Sequence, residues 1–260
     1  IYGGTVMGAS LGGIITSAVG PGWGLAIDAL GFAVSAPLYF LIRVKSNKAA
    51  ASQGNILRDI KEGWAEFAGR SWIWSIVLQF AIINVAFNGI VVVLGPMIAD
   101  ASFGRARWGI IVAAHSAGLI AGSFLAMKWH PRRDLFIGAM LAGLYALPIF
   151  MLSQNASAAL LIVGFFIAGM SLGLFGVTWA HSLQTHIPPD KLARVYAYDA
   201  MGSFIAIPFG QLVAGPLATH FGMSAVLLMS ALAVVMATAG VGLVPAIRQP
   251  EKMGTKSHNT

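Results

Sequence analysis

The chain has 260 residues, of which 57% are hydrophobic and 10% charged, with a mean hydropathy of +0.78. A soluble domain has about 25% charged residues, so this composition excludes a water-soluble globule and points to an all-α polytopic membrane protein. The lack of cysteine excludes disulfides, thiolate metal sites and thiol catalysis. The net charge of +7 is spread over short gaps between apolar runs, which argues against a nucleic-acid-binding block.

Crossing a bilayer takes about 20 apolar residues. Eight runs qualify, at roughly 1–19, 22–43, 72–98, 108–128, 135–154, 158–181, 196–218 and 223–247. The opening IYGGTVMGASLGG lacks the basic start of a signal peptide and reads as the interior of a longer protein. Arg105 and Arg107 fall in one set of connections. The other 14 of the 16 basic residues, among them Arg43, Arg58, Arg70, Arg133, Lys191 and Arg248, fall in the opposite set or in the tail. That asymmetry predicts that both ends of this chain are cytoplasmic.

In the first run, Gly4, Gly8 and Gly12 form a stripe that lets helix backbones approach closely. The second run contains GLAIDAL at 24–30, with one carboxylate, Asp28, in an apolar setting. It lies about six residues, or about 9 Å, from the outer end of its span. An ionised Asp there costs several kcal/mol unless it is paired, hydrated or neutralised. Two roles fit Asp28: a proton or substrate coupling group, or a structural hydrogen bond between helices.

The connection 44–71 is the longest. Ile56, Ile60, Trp64 and Phe67 recur at helical spacing with charges between them. This predicts an amphipathic helix lying on the inner membrane surface, with a polar linker as the alternative. In the third run Asn84 and Asn88 share one face at i and i+4; they are candidates to line a cavity, as is Gln211 in the seventh. His115, in the fourth run, is a candidate relay or an inter-helix hydrogen bonder. Gly118 with Gly122, and Gly169 with Gly173, form two further stripes. Arg194 and Asp199 are candidates for a cytoplasmic gate of ion pairs that form and break. Trp72, Trp74, Trp108, Trp129 and Trp179 lie near run ends, where interfacial anchoring accounts for them.

A shift of 202 residues superimposes Gly8 on Gly210, Gly13 on Gly215, Gly20 on Gly222 and Asp28 on Ser230. Parallel helical repeats are a transporter signature. The repeat arithmetic implies four helices before Ile1 in a twelve-helix protein. Residues 1–43 would then be the last two helices of an N-terminal half, and 44–71 a central loop. Residues 72–248 would be the C-terminal six-helix half, and 249–260 a tail.

The pattern Gly4-x3-Gly8-Ala9-x2-Gly12-Gly13 is similar to the fifth-helix antiporter motif of the major facilitator superfamily, with Ala9 in place of the usual proline. HIPPDKLARVYAYDAMGSF at 186–204 resembles the entry into the eleventh helix of its bacterial drug- and siderophore-exporter-like members. MKWHPRRD at 127–134 sits where the family has its basic loop between helices eight and nine, in degenerate form. The resemblance covers essentially the whole chain. It implies a secondary active transporter that exports a small amphipathic compound by alternating access, with protons as coupling ion.

No Walker loop, HExxH, GxSxG or dinucleotide fingerprint occurs in a suitable context, so no enzymatic activity, cofactor or metal is expected. The expected partners are a small-molecule substrate, membrane lipid, protons and the preceding helices of the same protein, and not nucleic acid. The expected location is the plasma (inner) membrane. The rival readings are a non-transporting membrane scaffold or partner subunit, and an eight-helix protein that oligomerises.

Overall fold

The computed structural model describes residues 21–41, 56–129 and 133–248. The chain separates into two compact units that divide between Gly54 and Asn55. In the first unit, helix α1 (Pro21–Leu41) is apolar and contains Pro37. The Ser35 hydroxyl bends back to donate to the Gly31 carbonyl at 2.7 Å, the usual way a serine hides its polarity in an apolar helix. The expected span 1–19, its glycine motif Gly4, Gly8, Gly12 and Gly13, and the Asp28 side chain lie outside the described residues.

In the second unit, α2 (Ile56–Ala68) precedes six helices long and apolar enough to cross a membrane. These are α3 (Ser71–Ala101), α4 (Arg105–Lys128), α5 (Asp134–Ser153), α6 (Ala158–His186), α7 (Pro189–Phe221) and α8 (Met223–Gly242). A short α9 (Pro245–Arg248) closes the unit. All six match expected spans, but α6 and α7 run further toward the connection between them. The reason is physical: hydropathy marks only the apolar stretch, whereas Pro189 at the first turn of α7 starts the helix well before the apolar run begins.

Three spans are interrupted, each just upstream of a proline. In α3 a π-helical segment, Val85–Val91, ends one turn before Pro96. In α5 a 3-10 turn, Gly143–Tyr145, precedes Pro148. In α7 the helix breaks at Ile205, three residues before Pro208. Proline lacks the N–H that would bond the carbonyl four residues back, and its ring crowds that carbonyl. The preceding turn therefore widens or tightens.

The tightest contact is between α4 and α6, where two glycine stripes meet face to face. A Cβ on Gly118 would lie 2.0 Å from the Phe166 carbonyl oxygen, and one on Gly122 only 1.9 Å from that of Met170. Reciprocally, Cβ atoms on Gly169 and Gly173 would lie 2.0 Å from the carbonyl oxygens of His115 and Leu119. No side chain fits there. Backbone packing replaces the hydrophobic drive that lipid does not supply. A second glycine pair sits at the crossing of α3 and α7, where a Cβ on Gly89 would lie 2.8 Å from Gly210 Cα.

Two apolar clusters fill the unit. One, toward the helix ends near the α3–α4 connection, includes Phe87, Ile111, Tyr145, Phe165 and Leu227. The other, toward the ends near α2 and the α6–α7 connection, includes Phe67, Trp72, Phe175, Trp179 and Val195. Trp72 and Trp179 are thus buried core residues and not interfacial anchors; each packs edge-on against the other at 5.7 Å. Trp108 is half-buried with its ring over Gly95, and Trp74 and Trp129 are exposed. Gln79, also buried, donates to the Ala139 carbonyl at 2.9 Å and the Thr238 hydroxyl at 3.0 Å, which ties α3 to α5 and α8.

Gly122→Ala should force α4 and α6 apart and cost about 1–3 kcal/mol, the usual penalty of overpacking. Gly109→Ala in the same helix has open space around it and should stay within about 0.5 kcal/mol of the parent. Thermal unfolding of the two variants in detergent measures the difference.

Candidate functional site

The crossing of α3 and α7 is lined by a continuous polar seam. Its first link is on α3, where Asn88 Nδ2 donates to Asn84 Oδ1 at 2.7 Å. Buried Asn84 passes the chain across the helices, donating through Nδ2 to the Ser203 carbonyl at 2.7 Å. Gln211 of α7 returns a contact, Nε2 to the Asn88 carbonyl at 3.2 Å. One turn toward the start of α7, the Ser203 hydroxyl donates to Asp199 Oδ1 at 3.3 Å. Trp179 Nε1 of α6 donates to Asp199 Oδ2 at 2.9 Å. The glycine pair Gly89–Gly210 holds the two backbones close enough for these side chains to reach.

The three amides differ in what they have left to offer. Asn84 is buried and spends its NH2 and its oxygen on neighbours, so it holds the seam together. Asn88 is half-buried and Gln211 is exposed on the seam, leaving polar edges for a ligand or water. Amides on a lipid-spanning segment are costly unless they meet such partners.

At the N-terminal end of α7, the helix α2 is fastened by charge. Glu66 is 5% exposed. It pairs with Lys191 of α7 at 2.5 Å and with Arg70 four residues on. Glu62 pairs with Arg194 at 3.2 Å. The Tyr198 hydroxyl donates to the Ile60 carbonyl at 2.9 Å, and its ring meets Trp64 and Phe67 at 5.6 and 5.8 Å. Gly63 makes the approach possible, because a Cβ there would lie 3.0 Å from the Tyr198 ring.

A model of the Major Facilitator Superfamily matches residues 1–211. The chain belongs to the major facilitator superfamily. Its six long apolar helices and the family together make it a multi-pass membrane protein of a transporter family. No curated protein and no solved structure matches the chain.

Against this frame the expected site residues separate. Asn84, Asn88 and Gln211 come together in one seam. Arg194 and Asp199 do not pair with each other: Arg194 reaches α2 and Asp199 reaches α6. Five residues at 100° each place them about 140° apart around the helix, so they point to different neighbours. Asp199 lies ten residues past the start of α7, or about 15 Å along the helix. His115 is outside the seam. Its Nε2 shares a 2.7 Å hydrogen bond with the Tyr145 hydroxyl, and its ring stacks on Phe87 at 5.1 Å, which fastens α4 to α5 and α3.

In α2, Gly63, Glu66 and Phe67 are buried against protein, while Ile60 and Trp64 are exposed; the Ile56 side chain lies outside the described residues. The strip buried against α7 thus runs along the border between the apolar and acidic faces, and leaves Ile60 and Trp64 of the expected apolar face uncovered by protein. Glu66 and Ser203 make contacts at the seam and at the start of α7 that the sequence reading missed. The spacing of Glu62, Glu66 and Arg70, four residues apart each time, was the available signal for the first.

Removing Glu66 leaves Lys191 and Arg70 without their buried counter-charge. Glu66→Ala should cost about 3 kcal/mol, whereas Glu62→Ala at the more open pair should cost under about 1 kcal/mol. Melting curves of both variants at low and high salt test the ranking, and only the Glu62 pair should lose its contribution on adding salt.

Proposed function

We propose that this protein is a secondary active transporter that exports a small amphipathic compound in exchange for protons. The observation that supports it is the seam between α3 and α7, where exposed amide edges at Asn88 and Gln211 connect through hydrogen bonds to the carboxylate of Asp199. Apolar walls with a few convergent polar groups suit an amphipathic ligand. A carboxylate linked to that lining suits ion coupling. The exporter character follows from the fifth-helix and eleventh-helix resemblances, as does a bacterial plasma membrane setting; the asymmetry of the basic residues supports cytoplasmic chain ends. In this reading residues 72–248 are one six-helix half, which rocks against the other around a site near the midplane. The helix breaks at Ile205 and in the π segment give α7 and α3 places to bend as it does so.

Everted membrane vesicles from cells expressing the complete gene provide the test. With an acid interior, they should accumulate ethidium or a hydroxamate siderophore, and a protonophore should abolish the accumulation. Asn88→Ala combined with Gln211→Ala should reduce it several-fold at unchanged protein level, since neither amide is deeply buried. Vesicles that accumulate neither probe under any gradient would favour the scaffold reading instead.

A further inference from the structure

Among the described residues of the six spans, the acids are Asp100, Asp134, Asp190 and Asp199. The first three stand in the first or last two residues of their helices. Asp199 alone is set in a helix interior, about 15 Å past the start of α7. Its contacts are unusual for a carboxylate at such a position, because both donors are neutral: Trp179 Nε1 at 2.9 Å and the Ser203 hydroxyl at 3.3 Å.

The charged groups on every packed element point elsewhere. On α7 itself, Lys191 is paired with Glu66 and Arg194 with Glu62, and the Tyr198 hydroxyl is bound to the Ile60 carbonyl. On α2, Glu62 and Glu66 are the partners of those same cations. On α6 the ionisable residues are His181 and His186. His186 Nδ1 sits 2.9 Å from the Ser182 carbonyl oxygen, with its ring against Trp72, and His181 is exposed. On α3 the acid Asp100 lies at the far end, and the nearby polar group is Asn84. Asp199 thus has no cationic partner among the described residues.

The two donors are matched to two charge states. Indole can only donate, so Trp179 serves Oδ2 whether the acid is ionised or neutral. A serine hydroxyl can donate or accept. When Asp199 is ionised, Ser203 donates to Oδ1. When Oδ1 bears a proton, that proton is donated to Ser203 Oγ after a rotation of the hydroxyl alone. A fixed cation such as Arg would favour one state only. Binding adds one proton to Oδ1 and release removes it, with no other bond made or broken.

We propose that Asp199 is the group that takes up and gives back the coupling proton, with Trp179 as its fixed donor and Ser203 as its reversible partner. The inference rests on the proton-coupled reading above. It moves the coupling role from Asp28 and His115 to a residue joined to Asn84 and Asn88 through the Ser203 peptide. Occupancy of the acid is thereby linked to the amides that face the ligand.

The test uses the complete protein in lipid vesicles and a readout that needs no substrate. Protonation beside Trp179 alters the emission of that indole, so the difference between parent and Trp179→Phe should titrate with pH. Asp199→Asn should abolish that titration, Asp199→Glu should keep it with a moved midpoint, and Ser203→Ala should move the midpoint in the parent background. In the ethidium assay, Asp199→Asn should lower gradient-driven accumulation on the order of tenfold and spare ethidium counterflow without a gradient. A Trp179 signal that does not titrate, or that titrates unchanged in Asp199→Asn, overturns the assignment even if transport is proton-driven. Lack of gradient-driven transport in the parent refutes the proton-coupled reading by itself, while the emission titration still reports on Asp199. If Asp199→Asn does not fold, Ser203→Ala decides: an unmoved midpoint overturns the proposal.

Discussion

Helices in a bilayer satisfy their own backbone, and lipid offers no hydrophobic gain when they associate. What holds this bundle is therefore contact distance, and the glycines of α4 and α6 set it. With carbonyl oxygens 2.0 Å or less from where side chains would begin, the two helices behave as a single rigid slab. The remaining helices are arranged around that slab with more varied contacts: a buried glutamine from α3 to α5 and α8, an imidazole–phenol bond from α4 to α5, and apolar clusters at each end.

The seam at α3 and α7 is the counterpart of this rigidity. Both of its helices are interrupted by a distorted segment just before a proline, while α4 and α6 run unbroken. Polarity and backbone irregularity thus occupy the same crossing, where one glycine pair allows the side chains of both helices to interlock. The cost of hiding amides and a carboxylate in lipid is offset by their serial hydrogen bonds. Each member depends on the next, from Trp179 through Asp199 and Ser203 to Asn84 and Asn88.

Much of the bundle was legible in the sequence because hydropathy follows lipid contact directly: six spans appear where apolar runs predict them. Helix ends were not, since α6 and α7 continue past the apolar stretch, where hydropathy carries no signal. The four glycine positions of α4 and α6 were visible as stripes, yet nothing in a stripe tells which other stripe it faces. Asn84 and Asn88 were legible as one face because i and i+4 geometry is local. The contacts of Asp199 were not legible, because one of its donors is Trp179, twenty residues away, and Arg194, five residues away in sequence, reaches Glu62 of α2 instead. Trp179 itself looked like an anchor, since an indole at a run end reads the same whether it meets headgroups or a carboxylate.

The fastening of α2 has a mechanical consequence. Glu66 sits in its pocket at one angle, and the exposed Ile60 and Trp64 lie to the side of it. Each residue turns a helix by 100°. Inserting one residue between Gly63 and Glu66 would swing the carboxylate away from Lys191 and bring a different side chain against Tyr198. The contacts of Glu66, Gly63 and Ile60 with the start of α7 thus fix the rotation of α2 about its own axis: α2 is keyed like a shaft in a slot, and α7 is the slot.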